Sequence, residues 1–278
     1  MDFARPTQIE DALSLLAAGD WRLLSGGTDF FPAIAEDMPR GPVMDLTGLE
    51  GLRGVTEAAD GWSIGALTTW SDVIAADLPP AFDALKLAGR EVGSPQIQNR
   101  ATICGNLCNA SPAADGVPPL LCLDAEVVLR SAAGSRQMPL ASFLKGNRRT
   151  ALARGELMAE LRIPKAAGRG RSTFHKLGAR RYLVISISMV AVRLELTADQ
   201  RVAAAAVSVG ACSAVAQRLG GLEADLMGHV VSGGLGKIVT RAHLSDLAPI
   251  DDVRASAAYR ISATETLLRR ALDSLGGS

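Results

Sequence analysis

The stretch TICGNLCNASPAADGVPPLLCLDAEV, residues 102–127, decides how this chain is read. It carries three of the chain's four cysteines among glycines, two asparagines, a serine and three prolines. Two readings compete: a metal-binding loop, or a backbone cradle whose thiols are incidental. Cys104, Cys108 and Cys122 are spaced at four and fourteen residues, Cys212 sits in an apolar run, and His175, His229 and His243 are distant. Structural zinc sites want thiols about two to four residues apart plus a second such pair or histidines. An iron–sulfur cluster wants four converging thiolates. The second pair is missing, so the cysteines read as small, semi-apolar packing residues.

The other residues of the stretch favour a cradle. Gly105 and Asn106 tolerate backbone conformations that bulky residues avoid. Asn109 and Ser111 offer short side-chain hydrogen bonds, and Asp115 offers a carboxylate suited to accept from hydroxyls. Pro112, Pro118 and Pro119 stiffen the path. A loop of this kind can gather several backbone N–H groups around an anion. Taken alone, an ordinary surface loop remains an equal reading.

A second glycine turn shifts the balance. In LLSGGTDFFPAI, residues 23–34, Ser25-Gly26-Gly27-Thr28-Asp29 lies between an expected strand and an expected helix. Glycine permits close approach of backbone to a phosphate, and free N–H groups at a helix start favour negative charge. The turn is neither a G-x-G-x-x-G nor a G-x-x-x-x-G-K-[ST] motif. Two such segments could hold the two halves of a dinucleotide in a cleft, provided the fold brings them together.

The composition sets the outer limits. A chain of 278 residues, 48% apolar and 21% charged, has enough length for one large or two smaller domains with a real core. Its 29 basic and 29 acidic residues cancel, so no global field draws in nucleic acid or an anionic membrane. The opening MDFARPTQIEDALSLLAAGDW is not patterned as a signal peptide, and no apolar run is long enough to span a bilayer. The expected compartment is the cytoplasm, where four cysteines in a chain this long do not imply a disulfide framework.

Along the first third, strands and helices alternate. A helix is expected after Pro6 and Thr7, then a strand, turn and helix over residues 21–36. Short strands follow with a turn at Ala59-Asp60-Gly61, and a helix after Thr68 or Ser71. Residues 80–93 read as a helix ending near Gly93. Residues 125–140 read as a hairpin turning near Gly134, and 156–164 as a last strand. KAAGRGR, residues 165–171, reads as a boundary. Beyond it, YLVISISMVAVRLEL (182–196) and RVAAAAVSVGAC (201–212) form an expected antiparallel pair joined by TADQ. Residues 256–275 read as a terminal amphipathic helix.

Taken together, these stretches resemble the FAD-binding (medium) subunit of molybdenum hydroxylases, the xanthine dehydrogenase and carbon monoxide dehydrogenase group. The resemblance covers nearly the whole chain. RPTQIEDALSLLA and LLSGGTDFFP match the opening helix and the AGGTDLLP turn of that family. VMDLTGLEGLRGV and WSIGALTTWSDV match its following strands, and IQNRATICGNLCNASPAADGVPPLLCLDAEVVL its most distinctive block. FHKLGARRYLVISISMVAVRL and PIDDVRASAAYRISATETLLRRAL match its C-terminal domain.

The resemblance implies an α+β fold: a p-cresol methylhydroxylase-type FAD-binding domain of two α/β subdomains, plus a smaller C-terminal domain with an antiparallel sheet and helices. The expected boundaries are 1–167 (subdomains about 1–55 and 56–167) and 168–278. It implies a pyrophosphate cradle at Ser25, Gly26, Gly27, Thr28 and Asp29, flanked by Leu24 and Phe30. Further contacts along the diphosphate, ribose and ribityl chain carry over to Thr102, Ile103, Gly105, Asn106, Asn109 and Asp115. Lys176 matches a basic position near the cofactor, and Met158 an apolar position against the flavin. Cys104 stands where the family writes the first glycine of TIGGN. Tyr182-Leu183-Val184 stand where some members carry acidic residues, which leaves the electron acceptor open among NAD, oxygen and others.

The resemblance also implies partners: a molybdopterin-binding large subunit and a small subunit with two [2Fe–2S] clusters, in a heterotrimer that is often doubled. The flavin would be the reactive group, with no catalytic side chain and no metal in this chain. Two rival readings are a self-sufficient flavin oxidase of the same cofactor fold and a flavin-free assembly subunit.

Overall fold

The computed structural model describes residues 2–34 and 41–276. The chain begins with a small parallel sheet. Strands Phe3–Ala4 and Arg22–Leu24 flank the central strand Val43–Asp45. Parallel strands need a crossover connection, and helix Ile9–Ala18 supplies the one that carries the chain from Phe3–Ala4 to Arg22–Leu24 on the other side of the central strand. Its apolar positions Ala12, Leu13 and Leu16 pack with Met44, Leu46 and Leu67. The helix after the glycine turn spans Phe30–Ile34; Ala35 and Glu36, expected to continue it, lie outside the described residues.

A five-stranded antiparallel sheet follows, ordered Val55–Ala58, Gly61–Gly65, Leu157–Pro164, Glu126–Ser131, Gly134–Pro139. The expected hairpins at Gly61 and Gly134 are its two ends, and both glycines have positive φ. At Gly61 the reason is also steric: a Cβ there would stand 2.0 Å from the Ile163 carbonyl oxygen of the neighbouring strand. Strand Leu157–Pro164 closes this sheet at its centre, yet Leu157 and Ala159 join the core beneath helix Ile9–Ala18. One strand thus carries both subdomains.

Helix Trp70–Ala75 is started by Thr69, between the two expected starts Thr68 and Ser71. Thr69 and Asp72 form a reciprocal capping box that satisfies two otherwise orphaned backbone donors. Helix Asp83–Glu91 ends before Gly93, which takes φ +56°.

The third sheet is antiparallel, ordered Arg171–Leu177, Ser188–Leu196, Val202–Gly210, Gln217–Arg218. Its central pair is the expected hairpin, in register from Met189 opposite Gly210 to Glu195 opposite Ala204, with a bulge before Leu196 opposite Val202. The first of these strands starts at Ser188, six residues later than expected from the apolar run. Arg180 explains the delay: its guanidinium donates to the carbonyls of Tyr182 and Leu183, folding the chain back on itself. Leu183 takes φ +50°, and Tyr182, Leu183 and Ile185 stay exposed. Helix Ala257–Gly276 packs Leu267, Leu268, Ala271, Leu272 and Leu275 onto this sheet. No helix among the described residues is long and apolar enough to cross a membrane.

Residues 102–127 are less a loop than expected. They form two short helices, Ile103–Asn109 and Val117–Cys122, hinged at Ala110 in the left-handed region (φ 47°). The physical signals were local. Thr102 caps the first helix by accepting from the Gly105 N–H at 3.1 Å. Pro118 sits in the first turn of the second, where a missing N–H costs nothing. Gly105 and Asn106 are therefore ordinary helical residues, and Cys104 has no positive φ to pay for in place of a glycine.

Candidate functional site

The two glycine-bearing segments meet. Ser25 Oγ and Thr102 Oγ1 lie 2.7 Å apart and share a hydrogen bond. A Cβ on Gly26 would stand 2.0 Å from the carbonyl oxygen of Arg100, so only glycine lets the turn rest on that backbone. A Cβ on Gly105 would stand 2.7 Å from Thr102 Oγ1, so this glycine clears the space in which the two hydroxyls touch. Segment 101–103 is itself pinned to 68–70 by Trp70 N–H to Ala101 O (3.1 Å) and Ile103 N–H to Thr68 O (3.0 Å).

Between the joined segments and the start of strand Leu157–Pro164 lies a cavity of about 670 Å³. That is within the usual range for a small-molecule or cofactor site. Ser25, Gly26, Gly27, Thr28, Asp29 and Phe30 line one wall, and Thr102, Cys104, Gly105, Asn106 and Asn109 another. Met158 lines the floor, at a bulge where its strand's register shifts. Leu24, Ile103, Asp115 and Lys176, expected at the site, do not line this cavity. Leu24 lies behind the turn in its strand, and Ile103 is fully buried in the core.

Asp115 and Lys176 instead bind each other. Lys176 Nζ donates to Asp115 Oδ2 at 2.7 Å, Ser186 Oγ donates to Oδ1 at 2.6 Å, and both charged side chains are nearly inaccessible. Burial pushes the Asp115 carboxyl above its ordinary range, with the Lys176 ammonium opposing that push. The pair ties strand Arg171–Leu177 to the segment between the two short helices. Each carboxylate oxygen of Asp115 thus already accepts one hydrogen bond in this structure.

The thiols divide by environment. Cys104 and Cys108, one helical turn apart, face the cavity. Burial pushes the Cys104 thiol well above its ordinary range. Cys122 lies elsewhere, beneath the C-terminal sheet, where Sγ contacts the carbonyls of Ala191 and Ala206 at 3.4 Å. Burial raises it to about 12, so it carries no thiolate at neutral pH. The three cysteines of the opening stretch therefore do not converge.

Sequence reasoning missed several lining residues. Trp70 comes from the capped helix, and 152–157 is the approach to the central strand. Within that approach Glu156 accepts from the Ala153 N–H and holds Arg136 in a two-pronged ion pair. The Arg136 hydrogen bond keeps the Glu156 carboxyl below its ordinary range. Arg154 pairs with Asp20 at 2.8 Å. None of these residues belongs to a local motif, so only the fold could reveal them. The Thr69–Asp72 spacing was a legible clue to where the helix bearing Trp70 starts.

The backbone N–H groups of Gly26, Gly27, Thr28 and Asp29 donate to no group among the described residues. A glycine cradle with free donors, beside a cavity of cofactor size, fits an anionic dinucleotide such as FAD. These features define the class: a two-part flavoprotein scaffold with a C-terminal antiparallel domain. Comparison with known proteins agrees. Residues 1–166 match the family described as the FAD binding domain in molybdopterin dehydrogenase, and 172–275 the CO dehydrogenase flavoprotein C-terminal domain.

The chain belongs to that family, the FAD-binding medium subunits of xanthine and carbon monoxide dehydrogenase-type molybdenum hydroxylases. It is 30% identical to the nicotine 6-hydroxylase medium subunit of Paenarthrobacter nicotinovorans, covering 99% of this chain and 96% of that one. It is 30% identical to the carbon monoxide dehydrogenase medium chain of Afipia carboxidovorans, covering 98% and 95%. A chain of the reconstituted CO dehydrogenase from Oligotropha carboxidovorans superposes with a TM-score of 0.89 at 27% identity, covering 99% and 97%.

Proposed function

We propose that this chain is the flavin-carrying electron-transfer subunit of a three-subunit molybdenum hydroxylase. The observation that carries this reading is the meeting of the two glycine-bearing segments at Ser25 and Thr102 on one side of the cavity. FAD, when bound, supplies an electron carrier between the [2Fe–2S] clusters of a small partner subunit and NAD, oxygen or another acceptor. Substrate hydroxylation belongs to a molybdopterin-binding large subunit, and the trimer pairs into a dimer. The compartment is the cytoplasm.

In this reading the chain's own residues bind and orient. The N–H groups of residues 26–29 hold the diphosphate, with no positive side chain needed there. Thr102 and Asn109 supply polar contacts along the hydroxylated chain of the cofactor, and Met158 packs against its flavin ring. Asp115 and Lys176 act one layer out by fixing the wall between the two short helices. The domain division near 167/168 and the subdomain split near 55 belong to the same proposal. It is supported by the change of sheet across the short helical turn Lys165–Gly168.

A self-sufficient oxidase would need acid–base groups beside the flavin. His175, His229 and His243 do not line the cavity, and His243 is engaged with Thr240 and Asp225. The test uses the purified full chain loaded with FAD. It should pass electrons from a reduced dye or NADH to an artificial acceptor and hydroxylate no substrate. Hydroxylation by this chain alone would overturn the assignment.

A further inference from the structure

A small separate hairpin stands at the rim of the cavity. Strands Leu144–Gly146 and Arg149–Thr150 pair only with each other, and Asn147 and Arg148 make the turn between them. After the hairpin the chain runs straight into residues 152–158, which line the cavity. Its turn is also tied to the facing wall. The Arg148 N–H donates to Ala110 O at 2.9 Å, and the Arg148 guanidinium donates to Asn109 Oδ1. Asn109 itself lines the cavity.

Arg148 is an uncommon residue for its place. It takes φ +57°, a left-handed conformation that glycine or asparagine adopts with less strain. An outlier of this kind points to a task for the side chain. Its neighbours show which task. Lys145, Arg148 and Arg149 are all exposed and form no ion pair among the described residues. Arg136 and Arg154, before and after them in the chain, are both paired, with Glu156 and Asp20. Three cations thus share one tight hairpin with no carboxylate bound to them, and an arriving negative charge relieves their mutual repulsion. None of the three lines the cavity. A small anion is recognised in a concave site that surrounds it. An exposed tip that spreads its cations suits a broad surface of opposite charge.

We infer that hairpin Leu144–Thr150 is an electrostatic docking lip for an acidic face of the protein that exchanges electrons with the cofactor. The identity of that partner rests on the flavin electron-transfer reading; the charge of the lip does not. Arg148 joins the lip to the cavity wall through Asn109, so a protein seated on the lip lies beside the bound cofactor. Lys145 and Arg149 act on encounter: opposite charge raises the association rate, and salt removes the gain.

The probe is an acidic [2Fe–2S] ferredoxin, and the first readout is its association rate with the flavin-free full chain. Salt is set at about 10 mM, where charges reach about 30 Å, and at about 1 M, where they reach about 3 Å. The native chain should associate at least about tenfold faster at low salt. Arg149→Glu should lose most of that gain and Lys145→Glu/Arg149→Glu all of it, with Arg149→Gln between native and Arg149→Glu. Arg270→Glu makes the same change of net charge on the exposed face of helix Ala257–Gly276 and should stay close to native. No association at low salt, a rate indifferent to salt, or equal losses in Arg149→Glu and Arg270→Glu overturns the lip. The second readout is flavin reduction in the FAD-loaded chain by the reduced ferredoxin. Two ferredoxins each give up one electron per FAD reduced, with two protons from water. This rate should follow the same order of variants, while reduction by light and deazaflavin, which needs no docking, should not. Association in that order without reduction in that order overturns the choice of partner. If the chain takes up no FAD, the flavin reading fails, while the association rates still decide the lip.

Discussion

Gly26→Ala should damage FAD binding more than Gly27→Ala, although Gly27 is the one with a positive φ (+78°). The ordering follows from what each new methyl would meet. At Gly26 it would stand 2.0 Å from the Arg100 carbonyl oxygen and 2.7 Å from its carbon, against an ordinary contact of 3.4–4 Å. Arg100 cannot give way freely. Its N–H and that of Ala101 both bond Ile97 O, and Ala101 O accepts from Trp70. The glycine turn must therefore lift by more than an ångström, which separates Ser25 Oγ from Thr102 Oγ1. Overpacking of this kind costs about 1–3 kcal/mol. If all of it falls on the bound state, FAD binds roughly 5- to 150-fold more weakly.

At Gly27 the methyl would meet Phe31 Cε2 at 2.7 Å, but Phe31 is 57% exposed and can swing outward. What remains is the left-handed backbone, about 1 kcal/mol, or about a fivefold loss at most. The assay is titration of the flavin-free full chain with FAD, followed by flavin fluorescence, with circular dichroism to verify the fold. An undiminished affinity in Gly26→Ala, or a larger loss in Gly27→Ala, would refute the claim that the turn is seated on the Arg100 backbone.

Other perturbations separate cavity residues from supporting ones. Gly27→Trp fills the cradle itself and should abolish FAD retention, with the C-terminal sheet still folded by circular dichroism. Asp115→Ala strands the buried Lys176 ammonium and should cost about 3–5 kcal/mol of stability; urea unfolding should show it, and adding Lys176→Met should recover part of the loss. Cys104→Gly should leave the FAD dissociation constant within about twofold, because the position is plain helix; the small loss of helix propensity, up to about 1 kcal/mol, should appear in the melting temperature. Glu156 has a lowered folded pKa, so its contribution is complete above the ordinary carboxylate range near 4.3 and is lost as pH falls through the lowered value. Melting temperature measured from pH 6 to 3 should fall less steeply in Glu156→Gln than in the native chain.

Much of this scaffold is legible in the residues. The hairpins at Gly61 and Gly134, the antiparallel pair around TADQ and the terminal helix follow from alternation, turn residues and helical spacing. The glycine turn Ser25–Asp29 was also visible as a turn between strand and helix, although its sequence could not say what it rests on. The contact between Gly26 and Arg100 is a tertiary event between segments far apart in the chain. Residues 102–115 misled because glycine, asparagine and serine usually signal loops. Here Thr102 caps a short helix, and Gly105 is small to clear a hydroxyl rather than to bend the chain. Asp115, within the distinctive block, and Lys176, from the family resemblance, were expected near the cofactor, but nothing in the sequence said that the two pair with each other; only the third dimension shows that ion pair. Trp70 was hidden for the opposite reason: a tryptophan in a short helix reads as core, and it is core, although it also lines the cavity.

The central claim is that this chain holds FAD and no metal of its own. The most direct test is the visible absorption spectrum of the chain purified without denaturant, with metal analysis and acid-released flavin measured on the same sample. The account predicts a flavin spectrum, one FAD released per chain and no stoichiometric iron or zinc. Broad iron–sulfur absorbance, or a colourless chain that takes up no added FAD, would contradict it.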